Sequence, residues 1–135
     1  METKSFPGNY KSLAKISEFV LQAAQAAGLD RKKSYQIDLA VDEACCNIID
    51  HAYGGEDQGV IECSIETMTG EIAVTLRDRG GTFDPELVPE PTLNVPLQKV
   101  KKRGAGVFLM KRLVDELHYE ASPETGNRLV LVKRK

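Results

Sequence analysis

Two polar side chains on one helix are the first residues in this sequence that could do chemistry. Glu43 and Asn47 lie four residues apart in the stretch VDEACCNIIDHAY, residues 41–53, which has the pattern of the C-terminal half of a long helix. That spacing places both side chains on one face. An acid and a carboxamide on an otherwise apolar helix indicate the lining of a pocket. A solvated polar stripe is the alternative, and this helix taken alone slightly favours it.

A second motif starts at Asp78 and reads DRGGTFDP. Asp78 ends a predicted strand and is followed at once by glycines. A carboxylate in that position can accept a hydrogen bond from an exocyclic amine while the ring lies against bare backbone. Purine recognition is one use of this arrangement. The alternative is a strand-ending turn, because Asp, Gly and Pro are common in turns.

A third motif, GAGVFLM, begins at Gly104 and opens a predicted helix. Free backbone N–H groups and the helix dipole make such a junction suited to phosphate. Lys101, Lys102 and Arg103 add positive charge beside it, although a flexible hinge with a solvated basic run has the same composition. The motif follows a loop, lacks a third glycine and contains no GK[ST], so it is neither a Rossmann fingerprint nor a P-loop.

The elements that must position these motifs follow from hydrophobic periodicity. Spacings of three and four predict an amphipathic helix over residues 10–27, and Gly28 ends it. Asp30 caps a second helix from Arg31 to Tyr53. Alternation with period two predicts an antiparallel hairpin at about 59–68 and 71–78. The remaining predicted elements are an edge strand from Thr3 to Phe6, a helix from Gly106 to Glu116, and strands from His118 to Ala121 and Arg128 to Val132.

This order predicts an α+β fold, a two-layer sandwich with one mixed or antiparallel sheet and three helices on one face. Residues 79–103 show no clear periodicity and contain four prolines. A loop of that length in a small domain is often a functional lid, which we place at about 85–103. We expect residues 1–135 to form a single domain.

Composition excludes several classes of function. The formal net charge is −2, from 18 basic and 20 acidic residues, which argues against a nucleic-acid binder. No apolar run has the length of a membrane span, and the first residues lack the apolar core of a signal peptide, so a cytoplasmic location is expected. The three cysteines form no CxxC pair, which argues against a structural zinc site.

Taken together and in this order, the three motifs resemble the nucleotide-binding boxes of the histidine-kinase-like ATPase superfamily. The segments NIIDHAYGG, FDP and GVFLMKRLVDEL narrow the resemblance. The chain looks like the bacterial anti-sigma-factor serine/threonine kinases and the related switch kinases. This resemblance runs from the first helix to the last strand, and it implies a histidine-kinase-like ATPase fold.

The resemblance also implies roles for individual residues. Asn47 would coordinate Mg²⁺, and Glu43 would act as the catalytic general base. Asp78 would read the adenine amino group, and Gly80 would let the base approach. The other implied nucleotide-binding residues are Phe83, Lys102, Arg103, Gly104, Ala105, Gly106, Val107 and Asn127. Asn127 departs from the family, which commonly has threonine there, and it could substitute as a donor or acceptor.

The function implied is that of an ATP- and Mg-dependent serine/threonine protein kinase acting as an anti-sigma factor. Such a protein phosphorylates an anti-anti-sigma antagonist and binds a sigma factor, and members of the family often act as dimers. No nucleic-acid or membrane partner is expected. The alternative is a nucleotide-dependent partner-binding module without significant kinase activity.

Overall fold

In the part of the chain that the structure describes, five strands form one antiparallel sheet. The structure is a computed structural model, and it describes residues 1–81 and 109–135. The strands are β1 (Glu2–Pro7), β2 (Val60–Met68), β3 (Glu71–Asp78), β4 (Glu116–Ser122) and β5 (Gly126–Arg134). Their order across the sheet is β1-β2-β3-β5-β4, and every neighbouring pair is antiparallel. The predicted α+β class is therefore confirmed, and its sheet is antiparallel throughout.

Helices cover one face of this sheet. They are α1 (Ser12–Ala26) and α2 (Arg31–Asn47), and residues 109–113 form a third helical stretch. The strands follow the predicted alternation. In β3, for example, Ile72, Val74 and Leu76 are fully buried, whereas the residues between them are only partly buried. Burying one such side chain contributes roughly 1.5–3 kcal/mol, so these positions fix which face of the strand meets the helices.

The start of α2 is as predicted. The Asp30 side chain accepts a hydrogen bond of 2.8 Å from the backbone amide of Lys33. Asp30 itself is extended, with ψ of 176°, so it lies outside the helix and caps it.

The end of this helix differs from the prediction of a regular α-helix to Tyr53. Residues Ile48–Ala52 form a π-helical turn, in which the amide of Tyr53 bonds to the carbonyl of Ile48 at 2.8 Å. A π turn holds one more residue than an α turn, and such turns occur frequently at functional sites. It brings the carbonyl of Ala52 against the Asp78 motif, where the amide of Gly81 donates to it at 2.7 Å.

The third helix ends earlier than predicted. Its helical residues stop at Leu113, and Glu116, the predicted last helical residue, already belongs to β4. The Nζ atom of Lys133 donates to the carbonyl of Leu113 at 2.7 Å. Leu117 has an apolar side chain that fits the helical pattern, but it lies opposite Leu131 in the sheet. Pairing with β5 therefore outweighs the local helical periodicity.

Within the described ranges, no helix combines the length and the apolar character needed to cross a membrane.

Candidate functional site

A pocket opens where the end of α2 meets the end of β3 and the start of β5. Its cavity volume is about 30 Å³, and it is open to solvent. Three polar side chains that belong to separate parts of the sequence, Asn47, Asp78 and Asn127, meet there. The other described lining residues are Ala44, Ile48, Ala52, Gly81, Met110, Tyr119 and Leu129. A mostly apolar wall with a few converging polar groups is the usual form of a small-molecule site.

Asp78 lies at the end of β3 and is 6% exposed. Its Oδ1 atom accepts hydrogen bonds from the backbone amide of Gly80 at 2.8 Å and from Nδ2 of Asn127 at 2.9 Å. Burial raises the pKa of the Asp78 carboxyl above its ordinary value, and the bonds from Asn127 and Gly80 act in the opposite direction. Asp78 is thus a buried acceptor held in one orientation.

Asn127 faces Asp78 directly across the β3–β5 ladder. Its Nδ2 atom also lies 3.2 Å from the carbonyl of Gly80 and 2.9 Å from that of Gly81, and its Oδ1 atom accepts from the hydroxyl of Tyr119 at 3.1 Å. Both ends of the carboxamide are therefore engaged by the protein. The structure brings Asn127 into the predicted site, but it engages the amide with Asp78 and the two glycines.

Contacts within the protein require glycine at position 80, and its predicted role in letting a base approach stays a prediction. A Cβ atom at this position would lie 2.4 Å from the carbonyl oxygen of Ala52 and 2.5 Å from its carbonyl carbon. The missing side chain therefore makes room for the end of the π-helical turn. Gly81 is less constrained, since its nearest contact of this kind is the same oxygen at 3.6 Å.

Asn47 is the last residue of α2 and lines the pocket. Its Nδ2 atom is buried and has no hydrogen-bond partner within the described residues. A buried polar group without a partner costs roughly 1–3 kcal/mol, so this carboxamide is costly to hold where it is. Such a cost is expected at a site that acts on a ligand.

The residues present fit a magnesium ion held jointly with phosphates. No group of three or more His, Cys, Asp or Glu side chains in the described ranges could hold a metal. Mg²⁺ takes oxygen ligands, keeps several waters and is usually bound by one or two protein groups plus substrate phosphates. The side-chain oxygen of Asn47 would supply such a protein ligand.

Glu43 lies one helical turn before Asn47 and is partly exposed. It does not belong to the described lining of the pocket. Its predicted role as general base remains a prediction.

Part of the predicted site lies outside the described residues. This applies to Phe83, to the run from Lys102 to Val107 and to the lid at 85–103.

Sequence reasoning missed two tyrosines that hold the site together. The hydroxyl of Tyr53 donates to the carbonyl of Val60 at 2.6 Å and accepts from the amide of Arg79 at 3.0 Å. Tyr53 therefore joins the end of the π-helical turn to the Asp78 motif and to the start of β2. Tyr119, on β4, orients Asn127. Their aromatic character predicts core packing, and no local spacing in the sequence indicates these bonds.

Comparison with known proteins decides the family. The sequence profile of the family described as histidine kinase-like ATPase domain matches residues 6–133. The chain belongs to this family. It therefore carries a nucleotide-binding domain of the ATPase type.

Relatives in this family narrow the group to the anti-sigma-factor serine/threonine kinases. A serine-protein kinase RsbW from Halalkalibacterium halodurans is 29% identical over 128 residues, which cover 87% of this chain and 76% of that protein. An anti-sigma F factor from Clostridium botulinum (strain Eklund 17B / Type B) is 32% identical over 99 residues. The match covers 73% of this chain and 68% of that protein. The match to a serine-protein kinase RsbW from Oceanobacillus iheyensis is 29% identical and spans 70% of this chain but 62% of that protein.

Solved structures support the fold. The RsbU and RsbW domains of a Mycobacterium tuberculosis protein match with a TM-score of 0.63 and 15% identity, over 99% of this chain and 32% of that one. The histidine kinase domain of a blue-light activated histidine kinase from Erythrobacter litoralis matches with a TM-score of 0.58 and 19% identity. The match covers 96% of this chain and 61% of that one. At these identities the likeness concerns the fold alone.

Proposed function

We propose that this protein is a serine/threonine protein kinase that uses Mg-ATP and acts as an anti-sigma factor. The observation that carries the proposal is the meeting of two unlike groups in one pocket. Asp78 offers a buried, oriented acceptor, and Asn47 offers a carboxamide whose Nδ2 atom lacks a partner in the described residues. Asp78 suits an adenine amino group, the Nδ2 donor of Asn47 suits a phosphate oxygen, and the side-chain oxygen of Asn47 suits a magnesium ion bound to the phosphates.

Within the proposed site, Asp78 would accept a hydrogen bond from the adenine amino group, and the side-chain oxygen of Asn47 would hold the magnesium ion. When bound, magnesium would supply neutralisation of phosphate charge, which is most of what phosphoryl transfer requires besides positioning. Glu43 accepts the proton of the incoming hydroxyl. It shares a helix face with Asn47, one turn away, and it is partly exposed, so a second protein can reach it.

The proposed partners follow from the relatives. Proteins named anti-sigma F factor and serine-protein kinase align with most of this chain. We therefore propose that it phosphorylates a serine or threonine of an antagonist protein and binds a sigma factor, as a single domain that forms a homodimer. The second candidate, a nucleotide-dependent binding module without kinase activity, is favoured by the position of Glu43 outside the described pocket lining.

Nucleotide binding is tested by a thermal melt with and without Mg-ADP. At 100-fold excess over Kd, the ligand should add about 2.7 kcal/mol of stability to the wild-type protein. Asn47→Ala should abolish the part of this gain that EDTA removes, while melting unliganded at the wild-type temperature or above it, because the substitution removes an unpartnered buried amide. Gln36→Ala, which removes a carboxamide from the same helix away from the pocket, is the matched control. A magnesium-dependent shift that survives in Asn47→Ala would contradict the proposed metal role.

Kinase activity is tested by phosphoryl transfer to an antagonist protein of the anti-anti-sigma type. Glu43→Gln should bind Mg-ADP normally and lose transfer by at least about 100-fold, the usual contribution of a general base. Glu18→Gln, on the exposed side of α1, should keep full activity. A nucleotide-bound protein that transfers no phosphate in its wild-type form would favour the binding module.

A further inference from the structure

The two oxygens of Asp78 have different surroundings. Both hydrogen bonds that the described residues make to this carboxylate end on Oδ1, one from the amide of Gly80 and one from Asn127. Oδ2 is not among the buried polar atoms that lack a partner. Asp78 lines the pocket. The carboxylate is therefore turned so that Oδ2 is the oxygen available to a ligand.

The orientation of Asn127 is fixed from both ends of its carboxamide. The hydroxyl of Tyr119 donates to Oδ1, and Nδ2 faces three acceptors, namely Asp78 and the carbonyls of Gly80 and Gly81. Exchanging the two ends would place the amide oxygen against a carboxylate and two carbonyls. Asn127 is 5% exposed, so water does not offer an alternative partner at low cost.

These contacts occupy both N–H donors of the Asn127 carboxamide. A carboxamide NH₂ group has two protons, and here it has three protein acceptors within 3.2 Å. A hydroxyl side chain such as threonine has one proton and could not hold Asp78 and a glycine carbonyl together. Asn127 is therefore suited to hold the Asp78 turn in place and has no proton left for a nucleotide.

We propose that Asn127, oriented by Tyr119, is a positioning residue that sets the purine specificity of the pocket by holding Asp78 with Oδ2 toward the base. This inference rests on the proposed nucleotide-binding function and goes beyond it. The substrate class is a 6-aminopurine nucleotide. A 6-oxopurine such as hypoxanthine would place a carbonyl oxygen against the carboxylate and is rejected. Asn127 acts through Asp78 and does not touch the base.

The test compares the affinities of Mg-ADP and Mg-IDP, measured by titration calorimetry. The wild-type protein should prefer ADP by at least about tenfold, the value of one hydrogen bond to a charged group. Asn127→Ala should weaken ADP binding by about tenfold and leave IDP binding within about twofold, so that the preference disappears. Arg128→Ala, at the neighbouring exposed position of β5, should keep the preference.

Tyr119→Phe is the second variant, because it keeps the carboxamide and removes only the hydroxyl that orients it. It should reduce the preference for ADP by a smaller factor, in the same direction. Equal weakening of ADP and IDP in both variants would show a merely structural role and overturn the inference. An unchanged preference in Tyr119→Phe and Asn127→Thr would overturn it as well. Failure of the wild-type protein to bind either nucleotide would instead overturn the proposed function.

Discussion

Replacing Gly80 by alanine is the sharpest test of how the site is assembled. The new Cβ atom would lie 2.4 Å from the carbonyl oxygen of Ala52, and this oxygen is backbone that is already bonded to the amide of Gly81 at 2.7 Å. Overpacking of this kind costs roughly 1–3 kcal/mol. Replacing glycine by alanine where the backbone allows it gains about 0.4–1 kcal/mol from the unfolded state.

Gly81→Ala supplies the matched control, since its Cβ atom would have 3.6 Å to the same oxygen. We expect this variant to melt at the wild-type temperature or slightly above it. Gly80→Ala should be less stable than Gly81→Ala by about 2–3 kcal/mol, which for a chain of this size corresponds to roughly 8–12 °C in Tm. Circular dichroism melts of both variants without ligand measure the difference. If the two variants melt within about 1 °C of each other, the inference that the Ala52 carbonyl lies too close to residue 80 for a side chain is wrong.

Two further predictions concern the groups that support the pocket. Tyr53→Phe removes the hydroxyl that donates to Val60 and accepts from Arg79. It should lower the free energy of unfolding, measured by denaturant titration, by about 1–2 kcal/mol. An unchanged free energy of unfolding would mean that water replaces both hydrogen bonds. The raised pKa of Asp78 means that its contribution to stability is fully present below the ordinary value of 3.8 and is lost as pH rises through the folded-state pKa. Asp78→Asn should therefore gain stability relative to the wild-type protein as pH rises from about 4 to neutral, while failing to bind Mg-ADP; parallel pH profiles for the two proteins would contradict this.

Much of the fold follows from local signals in the sequence. Alternation in Ile72, Val74 and Leu76 places β3 and its buried face, and the cap at Asp30 places the start of α2. The antiparallel hairpin of β2 and β3 follows from the short turn between them. These features depend on residues close together in the chain, so their period and spacing suffice.

The errors arise where distant segments meet. The predicted third helix runs to Glu116 because Leu117 continues the helical pattern, but pairing with β5 draws these residues into the sheet. The second helix ends in a π turn because its last carbonyl meets Gly81, which lies 29 residues after Ala52. Local periodicity carries no information about such contacts.

The sequence predicted three of the polar side chains that the structure brings together, but not the contacts that hold them. Asn47, Asp78 and Asn127 do share a pocket. The sequence could not show that Gly80 accommodates a carbonyl of the protein. A glycine indicates that space is needed, but it does not indicate whether a ligand or the protein backbone fills that space. Nor could it show that Asn127 is engaged by Tyr119, since that bond depends on the register of β4 against β5.

The π-helical turn has a consequence for how sequences of this kind can change in length. It is equivalent to one extra residue inserted into an α-helix, and each helical residue turns the chain by about 100°. Deleting one residue from Ile48–Ala52 would restore a regular helix without introducing an unfavourable side chain, yet it would turn the carbonyl now bonded to Gly81 away from it. This helix should therefore tolerate many conservative substitutions, whereas deleting a single residue should break the contact with Gly81. The number of residues in the helix is then under stronger selection than the identity of most of them.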